Sequence, residues 1–489
     1  MARMHVMEQS ESQAIMSSMH EMLEKRLSVS SLAPCPVEFT ASYVAMCATQ
    51  SCGKCTPCRN GLRMLRHLFN DVLNNRATLE TLDLIESTAR TVYLSSDCAI
   101  GYEAGEVALM AIRGFRDDFE HHVTKHACGF SQHQTVPCVS GCPAGVDIPG
   151  YIALVEAGRY TEAVRLIRKD NPLPLVCGLV CEHPCEMHCR RGMVDDPMNI
   201  RGLKRYAVDH AGDYRPLIKP ATGKRVAVIG GGPAGLATAF FLTRAGAKVT
   251  IIERTDKLGG VARHVIPEFR ISHDDIDKDV ALCLAFGAQV QMEREVTSVQ
   301  QLLDEGFTDV VVATGAWAPG KVGLKMGEEI DVLEFLAAAK AGEPMELGTD
   351  VVIVGAGNTA MDAARVAKRA EGVKNVRIVY RRTKKEMPAD EEELQLALEE
   401  GVELCELLAP IGVANDMLAC EVMRLGEPDE SGRRRPEPTG DTVDVPATAV
   451  ICAVGEQIER VLYEGAGVEV DRRGRPAGTA TGVDHVWAA

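Results

Sequence analysis

The chain has 489 residues, of which 53 are basic and 69 are acidic, so its formal net charge is −16. Nucleic-acid backbones and anionic membranes repel so acidic a chain, which excludes them as its main ligands. A domain contains about 150 residues, so the length predicts about three or four domains. The sequence has no run of about eighteen apolar residues and no secretory signal, which predicts a cytoplasmic protein without a membrane span.

The cysteines are distributed unevenly, because 13 of the 17 lie in the first 189 positions. Disulfides need an oxidising compartment, so clustered cysteines in a cytoplasmic chain favour metal or iron–sulfur ligation. The later cysteines stand alone in the sequence, which is typical of core thiols. They are Cys283, Cys405, Cys420 and Cys452.

The first group of cysteines is Cys52, Cys55 and Cys58, followed later in the chain by Cys98. Three thiolates at intervals of three residues can wrap one part of a 4Fe–4S cluster, and a distant fourth completes it. Zinc sites usually pair two Cys-x-x-Cys turns, so this spacing favours iron–sulfur over zinc. The sequence therefore predicts a 4Fe–4S cluster on these four cysteines.

The motif Ser-Cys-Gly-x-Cys-x-Pro-Cys-Arg at 51–59, with Asp-Cys at 97–98, resembles the cluster-binding end of the NADH-binding flavoprotein subunit of complex I. The resemblance implies a helical 4Fe–4S domain over 36–118, preceded by a polar extension at 1–35. The glycine-rich flavin and NADH loops of that subunit do not occur beside it, which implies a relay without its own flavin site. The predicted helices are Gly61–Leu73, Leu79–Leu94 and Glu106–Phe119.

A second group of seven cysteines lies between positions 128 and 189. The motifs Pro-Cys-Val-Ser-Gly-Cys-Pro at 137–143 and Cys-Gly-Leu-Val-Cys-Glu-His-Pro-Cys at 177–185 resemble the N-terminal iron–sulfur module of the glutamate synthase small subunit and of dihydropyrimidine dehydrogenase. The resemblance implies a second helical iron–sulfur domain over 119–218. Its implied ligands are Cys142, Cys181 and Cys185 on one cluster, Cys138 and Cys189 on another, and Cys128 and Cys177 as further candidates.

Two departures from that family leave the number of clusters in this domain open. A single cysteine, Cys128, stands where the family has Cys-x-x-Cys, and Lys204 takes the position of a polar ligand in some relatives. A protonated lysine has no lone pair to offer a metal. The chain is therefore expected to hold two or three clusters in all. His126 and His133 are further candidate ligands, although solvated loop residues are the preferred interpretation of both.

A glycine-rich turn follows the strand predicted at Arg225–Ile229 and precedes a predicted helix. In its Gly-x-Gly-x-x-Gly pattern, Gly230 allows the tight turn, Gly232 lets the backbone approach a pyrophosphate, and Gly235 permits close helix packing. The helix N-terminus adds positive partial charge for the phosphates. The next strand ends at Glu253, which would accept ribose hydroxyls and repel a 2′-phosphate. This unit therefore predicts FAD or NAD binding.

A second unit repeats the pattern after the strand predicted at Asp350–Val354, with Gly355 and Gly357 in the turn. Its second strand ends in Arg381 and Arg382 rather than in an acid. A guanidinium pair at that position suits the 2′-phosphate of NADP, which accepts bidentate hydrogen bonds. A solvated basic turn is the alternative, but the placement of the arginines favours NADP.

Further motifs resemble the glutamate synthase small subunit and the large subunit of NADH-dependent ferredoxin:NADP oxidoreductases. They are Leu-Gly-Gly at 258–260, Ile-Pro-Glu-Phe-Arg at 266–270, Ala-Thr-Gly at 313–315, Tyr-Arg-Arg-Thr at 380–383 and the strand that ends at Gly455. The resemblance implies a multidomain protein whose helical iron–sulfur domains precede two α/β Rossmann-like domains of the glutathione-reductase type. The FAD-binding domain comprises 219–345 and 446–489, and the NADP-binding domain, 346–445, is inserted in it.

The same resemblance implies that a Gly-Asp pair contacting FAD follows the strand that ends at Ala489, so the sequence is expected to be truncated. The predicted cofactor-binding residues are Gly230, Gly232, Pro233, Ala234, Gly235, Glu253, Gly260, Arg270, Thr314, Gly315, Gly355, Gly357, Asn358, Thr359, Arg381, Arg382 and Gly455. No side chain is predicted to be catalytic, because hydride transfer between nicotinamide and flavin needs no protein acid or base.

Two dinucleotide folds and clustered cysteines predict an NAD(P)H-dependent flavin and iron–sulfur oxidoreductase subunit. FAD would accept a hydride and release single electrons to the clusters. The expected partners are ferredoxin or other redox subunits of a hydrogenase, a formate dehydrogenase or a complex-I-like assembly, with electron bifurcation left open. Two alternatives are a glutamate synthase small subunit with an extra relay cluster and a non-catalytic electron-wiring or scaffold subunit.

Four polar segments carry no specific functional prediction. Asp390–Glu393 and Glu399–Glu400 are expected to form a solvated helix face, and Arg433–Arg435 a loop. Gln9–Leu27 fits either an amphipathic helix that docks on a partner or a frayed terminal helix.

Overall fold

The computed structural model describes residues 35–126, 136–212, 217–343, 345–428, 434–472 and 474–489. The chain divides into two compact units. The first unit holds the described residues up to Gly145 together with His183–Ile200, and the second holds Val146–Glu182 and Arg201–Ala489. The predictions for Gln9–Leu27, Cys128 and His133 lie outside the described residues.

The first unit is built from helices that share one apolar core. Leu65 and Phe69 lie one turn apart on the same helix face, and both are fully buried, as is Phe119 from the last long helix. The rings of Phe69 and Phe119 are 6.0 Å apart. The helices are α1 (Pro36–Gln50), α2 (Thr56–Leu73), α3 (Leu79–Ser95), α4 (Ala99–Gly114) and α5 (Arg116–Lys125), followed by single turns at Pro137–Ser140 and Pro184–Met187.

The helices predicted over Gly61–Leu73 and Leu79–Leu94 are present, and α2 starts earlier because Pro57 favours a first helical turn. The single helix predicted over Glu106–Phe119 is wrong. The chain leaves helical geometry at Phe115, so α4 ends at Gly114 and α5 begins at Arg116. Helix α4 also starts as early as Ala99 despite two glycines, because these allow close packing on α3: a Cβ at Gly105 would lie 2.5 Å from the Tyr93 amide nitrogen.

The second unit begins with helices and continues as an α/β fold. Its helices are α6 (Ile148–Glu156), α7 (Tyr160–Ile167), α8 (Pro174–Val180), α9 (Ile200–Asp209), α10 (Pro233–Arg244), α11 (His273–Leu284), α12 (Val299–Asp304), α13 (Val332–Ala341), α14 (Asn358–Arg369), α15 (Glu391–Glu399) and α16 (Val461–Gly465). Its strands are β1 (Arg225–Ile229), β2 (Lys248–Ile252), β3 (Gln289–Gln291), β4 (Asp309–Val312), β5 (Ala318–Pro319), β6 (Ile330–Asp331), β7 (Asp350–Val354), β8 (Asn375–Tyr380), β9 (Glu403–Glu406), β10 (Leu408–Ala414), β11 (Met417–Pro428), β12 (Arg434–Pro446), β13 (Ala449–Cys452), β14 (Glu456–Gln457) and β15 (Val486–Ala488).

Two parallel sheets of the same design organise this unit. The first has the strand order β15-β4-β1-β2-β3 and the second has the order β6-β13-β7-β8-β9. In the first sheet, Val226 and Val228 face one apolar cluster and Ala227 and Ile229 face another, so both faces are covered. A parallel sheet that is covered on both faces needs nearly continuous apolar strands, which explains the runs that predicted these strands. Strand β15 belongs to the first sheet, although it follows every strand of the second sheet in the chain.

The loop predicted over Arg433–Arg435 is wrong for its described residues, because Arg434 begins β12. Strands β10, β11 and β12 form an antiparallel sheet in which Arg434 pairs with Pro428 and Val445 with Leu418. Most residues of β12 are exposed, so the strand keeps a polar composition that resembles a loop. Backbone pairing with β11, which the local sequence does not encode, makes it a strand.

The solvated face predicted over Asp390–Glu393 is wrong at Glu393, which is buried. Its carboxylate meets Arg270 at 2.7 Å and Arg365 at 3.2 Å. Arg270 also donates to both carboxylate oxygens of buried Asp362, at 3.0 and 3.1 Å. Buried charges persist when they are paired in this way. The partners come from distant parts of the chain, so the helix sequence alone could not reveal them.

We expect Asp362→Asn to remove a pH-dependent part of the stability. Burial raises the pKa of Asp362 from 3.8 to about 6, against the opposing effect of Arg270. The native carboxyl thus holds its proton more tightly than the unfolded one, which stabilises the native state at low pH, and this contribution is lost as the pH rises from about 4 through about 6. Between about pH 5 and about pH 7.5, the free energy of unfolding of the native protein should therefore fall by roughly 1.4 kcal/mol relative to that of the variant.

Urea unfolding at several pH values measures this difference. Asp304→Asn, an exposed position, is the control and should follow the native protein at every pH. A difference between Asp362→Asn and the native protein that stays constant with pH would contradict the expectation.

Candidate functional site

The turn between β1 and α10 brings backbone from two strands into contact. Gly230 has φ +104°, and a Cβ there would lie 2.4 Å from the carbonyl oxygen of Ala313, just after β4. A Cβ at Gly235 would lie 1.9 Å from the carbonyl oxygen of Gly230. Helix α10 has a glycine, Gly232, at its N-cap, so no N-cap side chain occupies its first turn. Its amide groups are thus available to a phosphate at a helix N-terminus.

The carboxylate of Glu253, directly after β2, organises this turn. Its Oε2 accepts a hydrogen bond from the Gly231 amide at 2.6 Å, and its Oε1 accepts from the amide and hydroxyl of Thr255, both at 2.9 Å. A carboxylate has about four acceptor sites, so it retains acceptor capacity for a sugar hydroxyl. Glu253 is buried at the same time, which fits a recognition role better than a solvated one.

A cavity of about 740 Å³ opens beside this turn. That volume is within the range of sites that hold cofactors. Eight of the predicted cofactor-binding residues line it: Gly230, Gly232, Pro233, Ala234, Glu253, Gly260, Thr314 and Gly315. Gly235 instead lies under the turn, and Arg270 is engaged by Asp362 and Glu393.

The cavity also has lining residues that the motifs did not reveal. His264 is one of them, and its Nε2 is buried without a hydrogen-bond partner among the described residues. Arg254 and Trp317 are two others, and the guanidinium lies 5.5 Å from the indole ring. An unpaired buried nitrogen is costly, so its position in the cavity wall fits a ligand that supplies the missing partner. The only sequence signal for His264 is its proximity to Gly259 and Gly260, because its side chain belongs to no motif. The residues that line the cavity fit FAD as its ligand.

The second glycine-rich turn, between β7 and α14, has the same construction. Gly355 has φ +141°, and a Cβ there would lie 2.1 Å from the carbonyl oxygen of Ala453, just after β13. A Cβ at Gly357 would meet no atom of the described residues within 4 Å, and this glycine is the N-cap of α14 and so offers no capping side chain. The turn therefore leaves open space in front of free helix amides, as a pyrophosphate requires.

The other predicted residues of this second site lie around the turn. Asn358 begins α14 and accepts a hydrogen bond from the Asp390 amide at 2.9 Å. Thr359 follows it and forms a hydrogen bond with Glu456, whose pKa is raised by burial. Gly455 has φ +106° in the segment after β13, and a Cβ there would meet no atom within 4 Å.

The two arginines follow directly after β8. Arg381 is exposed, and Arg382 is partly buried with its Nε donating to the carbonyl oxygen of Arg434 at 2.9 Å. The parallel register of β7 and β8 places the end of β8 beside the end of β7, where the glycine turn begins. The residues present fit a phosphorylated ribose, because guanidinium groups bind phosphate in bidentate form.

Two cysteines of the first group, Cys55 and Cys98, lie close enough to Cys58 to affect its pKa. Burial raises the pKa of Cys58, and the neighbouring thiols Cys55 and Cys98 raise it further. Backbone amides of Asp97 and Cys58 donate to Cys55 and lower its pKa. Cys52 is exposed, and no contact between it and the other three is described. Thiolates near helix N-termini are stabilised as metal ligands, so the placement of Cys55 and Cys98 just before α2 and α4 fits an iron–sulfur cluster.

The second group of cysteines is divided between the two units, and each part is described separately. In the first unit, Cys138 and Cys189 are close enough that Cys189 raises the pKa of Cys138, which burial already raises. Cys142 follows the turn that contains Cys138, and buried Cys185 lies on the turn at Pro184–Met187.

In the second unit, Cys177 lies on α8 near Cys181. Burial raises the pKa of the Cys177 thiol, and the ammonium group of buried Lys204 opposes this shift. Lys204 is therefore near a predicted ligand, as its position in the motif implied. His126 directly follows α5 as its C-cap residue and is exposed.

The isolated cysteines occupy cores, in agreement with the prediction for them. Burial raises the pKa of Cys283, Cys420 and Cys452 to about 12 in each case. Cys405 is partly buried, and burial raises its pKa as well. These thiols are protonated at neutral pH and are poor nucleophiles.

None of the helices that the structure describes is long and apolar enough to cross a membrane.

The paired glycine turns on two parallel sheets are typical of a dinucleotide-dependent reductase fold. Residues 192–271 and 224–489 match the family described as pyridine nucleotide-disulphide oxidoreductase, and the match covers more than half of the chain. The chain therefore belongs to the pyridine nucleotide-disulphide oxidoreductase family. Residues 38–122 match the iron–sulfur binding region of NADH-ubiquinone oxidoreductase F, and residues 95–215 match dihydropyrimidine dehydrogenase domain II with its 4Fe–4S cluster.

Curated relatives confirm the resemblances drawn from the motifs. The NADPH-Fe(3+) oxidoreductase subunit beta of Geobacter sulfurreducens is 37% identical, and the alignment covers 85% of this chain and 66% of the relative. The NADP(+)-dependent formate dehydrogenase subunit beta of Moorella thermoacetica is 32% identical over 91% of this chain and 75% of the relative. The glutamate synthase (NADPH) small chain of Escherichia coli is 34% identical over 69% and 78%. The chain thus spans about two thirds of the length of the first of these relatives.

We expect Glu253→Gln to weaken flavin retention. The carboxylate accepts from three donors, whereas the amide nitrogen of glutamine cannot accept, so one donor of the turn loses its partner. Such a loss costs about 1–3 kcal/mol, or roughly 10- to 100-fold in affinity for FAD. Reconstitution of flavin-free protein with FAD, followed by fluorescence quenching, measures the dissociation constant. Glu469→Gln is the matched control at an exposed site, and equal affinity in the two variants would refute this role of Glu253.

Proposed function

We propose that this chain is the subunit of a larger complex that passes electrons between NADP(H) and a partner redox protein, through FAD and 4Fe–4S clusters. The observation that carries the proposal is the pair of glycine turns in one unit, each packed against a neighbouring strand through the same glycine contact. One turn lies beside Glu253 and the other beside Arg381 and Arg382. This difference in charge suits an unphosphorylated ribose at the first site and a 2′-phosphate at the second.

Bound FAD would supply the conversion between the two-electron chemistry of a nicotinamide and the one-electron chemistry of iron–sulfur clusters. The residues of the chain would bind and orient the two dinucleotides. The turn at Gly230–Gly235 and the N-terminus of α10 would hold the pyrophosphate, and Glu253 would hold the ribose. His264 would donate to or accept from the ligand through its unpaired Nε2. At the second site, Gly355, Gly357 and the first turn of α14 would hold the NADP pyrophosphate.

The proposed cluster ligands in the first unit are Cys52, Cys55, Cys58 and Cys98, supported by the mutual influence of the last three. The second group supplies ligands for one or two further clusters, supported by the pairs Cys138–Cys189 and Cys177–Cys181. Four thiolates per 4Fe–4S cluster are the usual requirement. Electrons would pass from the flavin to the second group and then to the first.

The partner is proposed from the names of the relatives. Two relatives are named as beta subunits, one of an Fe(3+) oxidoreductase and one of a formate dehydrogenase. We therefore propose assembly with another redox subunit or ferredoxin in the cytoplasm, with bifurcation as one possible mode. The motifs implied an NADP-binding domain, 346–445, inserted between 219–345 and 446–489, and the late position of β15 in the chain supports such an insertion. The second sheet also includes β6 and β13, so we propose that the inserted domain extends beyond 346–445 at both ends.

Anaerobic titration of the purified complex with NADPH tests the proposed function. We expect one FAD per chain to bleach and clusters to become paramagnetic, because the flavin is the converter between the two. Iron and acid-labile sulfide should reach about eight per chain for one cluster in each group, or about twelve if the second group holds two. Cys58→Ser should lower the iron content by about four. Flavin-free protein that NADPH does not reduce would instead support the non-catalytic wiring subunit.

We expect the double variant Arg381→Ser/Arg382→Ser to lose its preference for NADPH. Each guanidinium–phosphate hydrogen bond contributes about 1.5–3 kcal/mol, so KM for NADPH should rise by roughly 100-fold while KM for NADH changes little. Steady-state reduction of ferricyanide measures both constants. The double variant Lys384→Ser/Lys385→Ser is the control for a merely solvated basic turn. Equal changes in both double variants would reject the specific role of the two arginines.

A further inference from the structure

A row of positive side chains runs along α2 from the first cysteine group. Arg59, Arg63 and Arg66 are spaced by four and three residues, which places them on one face of the helix. Lys54 precedes them, between Cys52 and Cys55. All four are exposed, and the first acidic residue of α2 is Asp71, in its last turn. We call these four residues the α2 basic stripe.

Three other arginines of the same helical domain are paired with carboxylates, unlike the stripe. Arg113 meets Glu86 at 2.8 Å, Arg116 meets Asp83 at 2.9 Å, and Arg76 meets Asp71 at 2.9 Å. Within the described part of the chain, no ion pair joins a carboxylate to a member of the stripe. Arg59 donates to the Gly53 carbonyl oxygen at 2.9 Å, which holds its guanidinium against the cysteine turn.

The net charge of the whole chain indicates which kind of partner the stripe would attract. An acidic protein is repelled by most of a surface with a net charge of −16 and is attracted only where positive charge is concentrated. Repulsion elsewhere adds to specificity, because it disfavours every other orientation of the partner. A stripe that begins at the predicted cluster would thus orient such a partner with its redox centre toward the cysteines.

A small apolar surface adjoins the same cysteines. Tyr102 lies in the first turn of α4, and its amide donates to the Cys98 carbonyl oxygen at 3.1 Å. Its exposed ring lies 4.7 Å from that of Tyr93. Interfaces combine an aromatic or apolar centre with a charged rim, so the tyrosine pair and the stripe together fit a docking surface.

We propose that the α2 basic stripe is the docking surface for an acidic one-electron carrier protein that exchanges electrons with the cluster on Cys52, Cys55, Cys58 and Cys98. The proposal rests on the proposed function, because it requires that cluster. One electron leaves the reduced cluster, which is oxidised, and enters the oxidised centre of the carrier, which is reduced. No bond forms or breaks and no proton is transferred.

The experiment compares two probe proteins of opposite charge, an acidic 2Fe–2S ferredoxin and the basic cytochrome c of mitochondria. The full complex is reduced with a stoichiometric amount of dithionite, so the result does not depend on NADPH. Stopped-flow absorbance then gives the second-order rate constant for each probe at low and high salt. The test variant is Arg63→Glu/Arg66→Glu. The control, Arg90→Glu/Lys125→Glu, makes the same charge change at two exposed positions outside α2.

At low salt, the test variant should reduce ferredoxin at least about 10-fold more slowly than the control, and it should reduce cytochrome c faster. The difference should shrink as salt screens the charges. Reduction of ferricyanide should be similar in both variants. Equal rates with ferredoxin in the test and control variants would overturn the proposal.

A second measurement separates docking from electron transfer. Fluorescence anisotropy of labelled ferredoxin, mixed with the oxidised complex, reports binding even if NADPH fails to reduce the protein. We expect binding at low salt that is lost in the test variant and kept in the control. Single-stranded DNA that binds the stripe more tightly than ferredoxin, and competes with it, would overturn the proposal in favour of a nucleic-acid surface. Failure of the NADPH titration alone would reject the proposed function and leave the docking result intact.

Discussion

The close approach of a glycine turn to the neighbouring strand is the constraint on which both dinucleotide sites depend. A side chain at Gly230 would strike the backbone after β4, and one at Gly355 would strike the backbone after β13. This contact lets each turn fold tightly enough to aim the amides of the next helix at the space above the sheet. Both sheets repeat the neighbours of the first strand in the same order, so the contact recurs because the topology recurs.

The two sites differ in the charge of the residues that follow the second strand of each sheet, β2 in one and β8 in the other. After β2 the buried Glu253 takes three hydrogen bonds from the turn and its surroundings. After β8 the chain continues with two arginines, of which Arg382 is held by a single backbone carbonyl. One fold thus yields opposite electrostatic environments at equivalent positions. In the proposed arrangement, a 2′-phosphate would be repelled at the first site and attracted at the second, so a single chain would bind two dinucleotides without competition.

The parts that could be predicted from the sequence are those in which residues close in the chain perform one task. The glycine turns, the apolar strands and the Cys-x-x-Cys-x-x-Cys run are of this kind. The rest depends on distant partners. The burial of Glu393 follows from Arg270 and Arg365, strand β12 follows from its pairing with β11, and His264 acquires a role only from the cavity around it. The break at Phe115 is a local change of backbone geometry that helical periodicity does not mark.

The cysteines show how environment and spacing together decide the chemistry of a thiol. Cys55 stands where backbone amides at the start of α2 and before α4 stabilise its thiolate. Cys283, Cys420 and Cys452 are buried, and burial raises their pKa to about 12, which keeps them protonated. A metal ligand must be a thiolate, so the lowered pKa of Cys55 favours ligation there. The exposed position of Cys98 beside it then brings the proposed cluster close to solvent. A redox centre at the surface is accessible to a partner, so its rate of exchange depends on the charges around it, which here include exposed Asp97 as well as the four positive side chains of the α2 basic stripe.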